Sequence, residues 1–256
     1  GLATFTVRLT SQPTASVSVG LSSSDATEGT VSPASLTFTT ANWSIPQTGT
    51  VTGVNDVAAD GNVIYAIVTA AATSADPRYS GLNPADVSVT NVDDETAGIT
   101  VSAAGSPTTE TGGQATFTVV LNTQPTANVA VGLSSNDLTE GTVSTASLTF
   151  TSVNWSTPQT VTVTGVNDDV DDDNVVYTIV TAPATSTDPG YNALNAADVS
   201  VTNVDDDAAG FTVTPASGPT TEAGGTATFT VRLTSQPTAN VTVALSSNDA
   251  TEGSVG

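Results

Sequence analysis

Carboxylates are the side chains of this 256-residue chain that could do chemistry, and many of them lie in a few short segments. The densest segment reads Asp168-Asp169-Val170-Asp171-Asp172-Asp173, and a second one reads Asp205-Asp206-Asp207. The chain has 25 Asp and Glu residues against three Arg and no Lys, which gives a formal net charge of −22. This charge excludes nucleic acid and anionic membranes as partners, because nothing neutralises their phosphates.

The residue types that are missing exclude most classes of enzyme. The chain has no His, Cys or Met, which removes Ser-His-Asp and Cys-His nucleophiles, imidazole and thiolate zinc sites, and disulfides. Paired carboxylates can hydrolyse glycosides, but near-identical repeated units offer no unique cleft for a substrate. No stretch reaches the roughly 18 apolar residues of a membrane helix. We therefore expect a protein that is not an enzyme and does not insert into membranes.

A repeat with a period of 112 residues sets the architecture. Thr4-Phe5-Thr6-Val7 recurs at residues 116–119 and 228–231, and Trp43 recurs as Trp155. The chain starts and stops in mid-repeat, so we expect a segment of a longer tandem array. The expected units are a repeat that lacks its first strand, a complete repeat and the first part of a third repeat, in residues 1–96, 97–208 and 209–256.

The complete unit is expected to be an all-β, immunoglobulin-like antiparallel sandwich. Alternating β-branched residues, separated by Gly, Asn, Asp and Pro, predict seven strands in about 110 residues without any helical periodicity. The predicted strands are residues 98–102, 115–122, 128–134, 141–151, 159–166, 174–182 and 198–204. The third unit would contain only part of such a sandwich, which we do not expect to be stable alone.

The acids of the complete unit gather at one end of this sandwich. When strands alternate in direction, alternate connections share an end, and 11 of the 13 acids in residues 97–208 fall in the connections of one end. We call this end the acidic pole; only Asp188 and Asp198 lie outside it. So many carboxylates repel one another, and Ca²⁺ relieves the repulsion because it takes 6–8 oxygen ligands at about 2.3–2.6 Å. An evenly spread charge would instead indicate an acidic surface kept for solubility.

Neither of two common calcium-binding loops is present. Residues 169–173 have the D-x-D-x-D spacing of an EF-hand, but its sixth position is Asn174 rather than Gly and its twelfth is Val180 rather than Glu. The G-G-x-G-x-D repeat of calcium β-rolls is also missing. We therefore expect several loops of the fold to hold the ion together.

The acidic segments resemble those of the Calx-β domain family. The closest match is residues 199–210, in which a strand is followed by three acids and a link of small residues. Thr109-Glu110-Thr111-Gly112-Gly113 resembles the family's Ser/Thr-Glu element, and Asp137 and Asp168 stand where the family has acidic ligands. The resemblance implies Ca²⁺ ligands in the complete unit at Glu110, Asp137, Asp168, Asp171, Asp172, Asp173, Asp205, Asp206 and Asp207.

The same resemblance implies sites in the flanking units. In the first unit the implied ligands are Asp25, Asp56, Asp60, Asp93, Asp94 and Glu95. Glu222 and Asp249 would begin a third site. Because Val57-Ala58-Ala59 replaces acids of the complete unit, we expect the first site to bind more weakly or to hold fewer ions.

The resemblance, together with the tandem repeat, implies a structural role outside the cell. Domains of this family occur in sodium–calcium exchangers, integrin β4 and many bacterial surface proteins. We expect a calcium-rigidified extender of a secreted or surface-anchored bacterial adhesin, whose partners are the neighbouring repeats of the same chain. One alternative is an extracellular filament assembled from identical chains by strand donation. Another is a glycan- or ice-binding module that uses Trp155 and Tyr191. These two residues lie at the nearly uncharged end of the sandwich opposite the acidic pole, which we call the neutral pole.

Overall fold

All 256 residues are described by the computed structural model, and every regular element in it is a β-strand. It has no helix of the length and apolar character that a membrane span needs. The all-β, predominantly antiparallel architecture predicted from the sequence is confirmed. We call residues 1–96, 97–208 and 209–256 modules 1, 2 and 3.

Module 1 consists of two facing sheets. Its strands are β1 (Leu2–Val7), β2 (Val17–Ser23), β3 (Gly29–Ser32), β4 (Ser35–Phe38), β5 (Gln47–Gly53), β6 (Val63–Thr69), β7 (Thr73–Ser74) and β8 (Val87–Asn91). One sheet has the order β1-β5-β3, and the other has the order β4-β2-β6-β8 with β7 paired to β2. Buried side chains, among them Phe38 and Ile67, form two apolar clusters.

Module 2 repeats this plan with two additional strands near its beginning, whereas the counterpart of β7 is an isolated bridge between Ala130 and Thr185. Its strands are β9 (Ile99–Val101), β10 (Thr108–Thr109), β11 (Gln114–Leu121), β12 (Val129–Ser135), β13 (Gly141–Val143), β14 (Ser147–Phe150), β15 (Gln159–Gly165), β16 (Val175–Thr181) and β17 (Val199–Val204). The sheets have the orders β13-β15-β11-β9 and β10-β17-β16-β12-β14. Alternate side chains of a strand face opposite ways, so Phe117, Val119 and Leu121 of β11 join a single core of 17 buried residues.

The predicted strand at residues 141–151 is in fact two strands in different sheets. β13 pairs with β15, whereas β14 pairs with β12 in the facing sheet. The chain crosses between the sheets at residues 144–146, where the small polar side chains of Ser144 and Thr145 form a turn. As a result, Leu148 and Phe150 enter the core from the opposite side to β13.

The two-residue strand β10 was not predicted, and it brings the first part of module 2 to its last strand. β10 runs parallel to β17, with Thr108 opposite Asn203 and Thr109 opposite Val204. The next residue, Glu110, donates its backbone N–H to the carbonyl oxygen of Val204 at 3.1 Å. The short strand therefore places the side chain of Glu110 beside the exit of β17.

Module 3 contains only two strands, β18 (Phe211–Val213) and β19 (Val231–Leu233), which pair antiparallel. None of its residues belongs to a buried apolar cluster. Large apolar side chains such as Phe211, Val243 and Leu245 are exposed.

Candidate metal centre

Five carboxylates of module 2 meet at the acidic pole. Glu110 follows β10, Glu140 precedes β13, Asp168 and Asp172 lie in the acidic loop of module 2 (residues 166–174), and Asp207 follows β17. One oxygen each from Glu110, Asp168 and Asp207 lies within 4.8 Å of the others, and the same holds for Glu140, Asp168 and Asp172. Because Asp168 belongs to both groups, they form one continuous cluster, which we call the carboxylate cluster.

Glu110 is the most unusual side chain of the cluster. It is only 3% exposed, and its Oε2 is buried without a hydrogen-bond partner. The pKa of Glu110 is raised from 4.5 to about 7, mainly by burial; the charges of Asp205 and Asp168 contribute to this rise, and a hydrogen bond from the backbone N–H of Asp206 opposes it. A buried carboxylate oxygen without a partner is costly unless a cation compensates it.

A buried network of hydrogen bonds holds the side chain of Glu140 in place. The side chain is 5% exposed, and its Oε2 accepts a hydrogen bond from Asn203 Nδ2 at 3.4 Å. Asn203 Oδ1 in turn accepts a hydrogen bond at 3.0 Å from Thr108 Oγ1, which lies 3.0 Å from the hydroxyl of Tyr177. Burial is the main cause that raises the pKa of Glu140. The network thus fixes the position of Glu140 within the carboxylate cluster.

The other carboxylates of the cluster repel one another. Desolvation raises the pKa of Asp172 and Asp207, and neighbouring acids raise it further. None of the three Arg residues of the chain lies in module 2, so no basic side chain of this module offsets the repulsion. A donor set made only of carboxylate oxygens suits a hard divalent cation such as Ca²⁺. The residues of the cluster therefore fit this ion.

Module 1 repeats half of this arrangement. Glu28, Asp56 and Asp60 each offer an oxygen within 4.8 Å of the others, and they precede Glu140, Asp168 and Asp172 by 112 residues. These three line a cleft of about 250 Å³ together with the predicted ligands Asp93, Asp94 and Glu95. Desolvation raises the pKa of Asp60, and the charges of Asp56 and Asp93 add to the shift.

Two predicted ligands, Asp25 and Asp137, form turns and belong to neither group of carboxylates. Asp137 Oδ1 accepts hydrogen bonds from the backbone N–H of Thr139 at 3.0 Å and from its hydroxyl at 2.5 Å. These bonds lower the pKa of Asp137. Asp25 makes the same bonds to Thr27. In module 3, Asp249 repeats this turn and Glu222 is exposed.

Glu28 and Glu140 were not among the expected ligands, although the structure places both in groups of carboxylates. The motif Thr-Glu-Gly recurs at residues 27–29, 139–141 and 251–253. In modules 1 and 2 the Gly of this motif leaves no room for a side chain: a Cβ on Gly141, for example, would clash with the Tyr177 hydroxyl oxygen. This recurring motif is the signal that could have identified Glu140.

Other predicted ligands shape the acidic loop. Asp205 accepts hydrogen bonds from the backbone N–H groups of Asp173 at 3.0 Å and Asp207 at 2.8 Å. Asp173 has a positive φ of 65°, and the equivalent residue of module 1 is Gly61 with φ 80°. The backbone conformation of Asp173 is therefore the one that the turn of the acidic loop requires. Asp206 is exposed and lies outside both groups.

Asp171 points away from the carboxylate cluster, toward the linker that follows β17. Its Oδ2 accepts a hydrogen bond from the backbone N–H of Ala209 at 2.6 Å. Asp171 is therefore in contact with the chain that leads into module 3.

The aromatic residues of the neutral pole pack into the core. Tyr191 is buried and its hydroxyl donates to the carbonyl oxygen of Thr123 at 2.8 Å. Trp155 is partly buried against the same core. Asp188 accepts hydrogen bonds from the backbone N–H groups of Thr126 at 2.7 Å and Gly190 at 2.8 Å, which closes this pole. The ring of Tyr191 is therefore not available as a platform for a sugar ring.

Comparison with known proteins gives weak likenesses only. No protein-family model and no curated protein sequence matches the chain. Among solved structures, the crystal structure of CBD12 from CALX1.2 is similar with a TM-score of 0.30 and 14% identity, over 74% of this chain and 77% of that one. Domains 1–6 of the surface layer protein SbsC are similar with a TM-score of 0.28 and 14% identity, over 84% of this chain and 28% of that one. At these TM-scores, function has to be argued from the carboxylates of the chain itself.

Proposed function

We propose that this chain is a calcium-dependent spacer, a tandem array of Calx-β-like modules from a secreted or surface-anchored bacterial protein. The observation that carries the proposal is the buried, unpartnered Oε2 of Glu110, which lies in the group formed with Asp168 and Asp207. A cluster of exposed acids would serve solubility alone, but a buried carboxylate without a partner calls for a cation.

The residues that would hold the ions come from different parts of the chain. Glu110, Glu140 and Asp168 lie next to strands of the module 2 sandwich, whereas Asp207 lies in the linker between β17 and β18. Bound Ca²⁺ supplies the positive charge that the acidic pole lacks. When Asp207 is held together with Glu110 and Asp168, the start of the linker is fixed to the sandwich. The linker then stops acting as a hinge.

The expected affinity agrees with a location outside the cell. Extracellular calcium modules bind with dissociation constants of about 10⁻⁴–10⁻³ M, so their sites are filled outside a cell and empty in a cytosol. Since an ion that binds only the folded state stabilises it by about 2.7 kcal/mol at one hundred times its dissociation constant, calcium should also stabilise each module.

Calorimetric titration with CaCl₂ tests this function. The variant Asp168→Asn removes the residue that both groups of module 2 share, so we expect only the binding of module 1 to remain. The matched control Asp206→Asn removes an acid of equal charge that is exposed and belongs to neither group, and it should bind as the wild type does. No heat of binding in the wild type, or equal losses in the two variants, would refute the proposal.

A further inference from the structure

Each module meets the next through the same two loops. The acidic loop of the earlier module, residues 54–62 or 166–174, contacts the docking loop of the later module, residues 122–128 or 234–240. At the first joint Gln124 donates its backbone N–H to the carbonyl oxygen of Val57 at 2.8 Å. At the second joint the donor is Gln236 and the acceptor is the carbonyl oxygen of Asp169, at 2.6 Å. Both partners are shifted by 112 residues, so this joint is a repeated feature.

The first joint is uncharged and closely packed. Ala58 and Gln124 form a parallel β-bridge across it. Gly190 of module 2 lies against module 1 as well, because a Cβ on Gly190 would be 3.5 Å from the carbonyl oxygen of Ala59. None of these contacts between the two modules is made by a charged side chain.

The second joint has a charged contact that the first lacks. Asp171 Oδ2 accepts the hydrogen bond from Ala209 N, whereas the residue equivalent to Asp171 at the first joint is Ala59. Asp169 likewise replaces Val57. The acidic loop of module 2 therefore has one carboxylate, that of Asp171, bonded to the linker into module 3, while Asp168 and Asp172 belong to the carboxylate cluster.

We propose that the acidic loop of module 2 couples the binding of ions to the docking of module 3. Asp168 and Asp172 belong to the ion-binding side, while Asp169 and Asp171 hold the docking loop and linker of module 3. In this assignment Asp171 is a docking residue and not a calcium ligand. The calcium dependence of the second joint rests on the proposed function, but the docking contacts themselves do not.

The two joints should therefore respond differently to calcium. In the ion-free protein, Asp169 and Asp171 are repelled by the acids around them, which loosens the second joint. Ions held by Asp168 and Asp172 remove this repulsion, so that the docking contacts of Asp169 and Asp171 become more stable. The first joint keeps its uncharged contacts in either state, because Val57 and Ala59 stand at the positions of Asp169 and Asp171.

Amide hydrogen exchange in the whole 256-residue chain, read by NMR with calcium or with chelator, measures both joints at once. We expect the amides of Ala209 and Gln236 to exchange about fivefold more slowly with calcium. The amide of Gln124, at the first joint, should exchange equally in both conditions. An equal response of the two joints would overturn the proposal.

Two single variants separate docking from ion binding. Asp171→Ala copies the first joint and should speed exchange at Ala209 about fivefold while leaving the calorimetric calcium affinity unchanged. Asp172→Asn should lower the calcium affinity but leave Ala209 of the chelated protein as protected as in the wild type. If Asp171→Ala lowers the calcium affinity as much as Asp172→Asn, Asp171 is a ligand and the assignment is wrong.

Failure of the proposed function would give a different result. The wild type would then show no heat of binding with CaCl₂, yet Asp171→Ala would still speed exchange at Ala209 in the chelated protein. If exchange at Ala209 is the same in Asp171→Ala and in the wild type under both conditions, the docking role itself is refuted.

Discussion

At the scale of single residues, burial separates the carboxylates of the candidate metal centre from the rest of the acidic surface. Glu110, Glu140 and Glu28 are buried, whereas Asp169 and Asp206 are exposed. Water screens an exposed carboxylate, but a buried one has to be neutralised by a proton or a cation. Burial raises the pKa of Glu110 and Glu140, so the ionisation of these two side chains should depend strongly on whether calcium is bound.

Calcium-free protein should lose stability as the pH rises from about 4.5 to about 7. Because the pKa of Glu110 is raised from 4.5 to about 7 in the folded protein, the folded state binds more protons than the unfolded state in this window. The free energy of unfolding then decreases with increasing pH. Burial shifts the pKa of Glu140 in the same direction. Thermal melts in chelator across this range measure the effect.

The variant Glu110→Gln provides the control for this pH dependence. It keeps the shape of the side chain but cannot ionise, so its melting temperature should fall less steeply with pH. Asp137 does not disturb the measurement, because hydrogen bonds to Thr139 lower its pKa below 3.8. Its contribution to stability is lost only as the pH falls through that lower value. A wild-type melting temperature that rises throughout the window would contradict the prediction.

The sequence pointed to the right loops but not to the carboxylate of each loop that faces inward. Asp137 and Glu140 lie three residues apart in one connection. Which of them turns inward depends on the hydrogen bonds of Asp137 to Thr139 and on the fit of Gly141 against Tyr177. The contact between Gly141 and Tyr177 joins parts of the chain far apart in sequence, so a local pattern could not show it.

At the scale of elements, the regular strands followed from the sequence and the short ones did not. β11 alternates apolar and polar residues over eight positions, which gives a clear pattern. β10 has two residues and no periodicity, and it exists because it pairs with β17, about 95 residues later. The split into β13 and β14 likewise depends on which sheet has a free edge. Such tertiary choices override local preference.

Replacing Gly141 by Ala should damage both the fold and the metal centre. A methyl group there would overlap the Tyr177 hydroxyl, and forcing extra volume into a packed core costs about 1–3 kcal/mol. The displaced Tyr177 would also disturb Thr108 and Asn203, which position Glu140. We therefore expect a lower melting temperature in chelator together with a weaker calcium affinity.

Gly105→Ala is the matched control for this substitution. Its Cβ would have the carbonyl oxygen of Thr116 as its nearest neighbour, at 3.6 Å, which is an ordinary contact. It should therefore change the melting temperature and the calcium affinity much less. Equal effects of the two substitutions would show that the fit of Gly141 against Tyr177 is unimportant.

At the scale of the whole molecule, the proposed function predicts a change of shape on removal of calcium. Each module should add about 40–45 Å to the length of the array. Small-angle scattering of the chain with calcium should describe a stiff extended particle, and the same chain in chelator should scatter as a flexible one. Profiles that coincide in the two conditions would exclude the spacer function.

The double variant Asp56→Asn, Asp168→Asn is the control for scattering. It removes one carboxylate from the candidate site of module 1 and one from that of module 2. The scattering profile of this variant should therefore not respond to calcium. Scattering at several protein concentrations tests the filament alternative. If identical chains assemble, the apparent mass should increase with concentration. A constant monomeric mass would favour the spacer.

The parallel pairing of β10 with β17 has a consequence for mechanical load. It joins the beginning of module 2 to its end, through Thr108 and Thr109 against Asn203 and Val204. Tension on the array pulls these two strands past each other along their length. Their hydrogen bonds are then sheared together, whereas those of a hairpin pulled open at one end are peeled apart in turn. The pair acts as a clamp beside Glu110, at the place where force enters and leaves the domain.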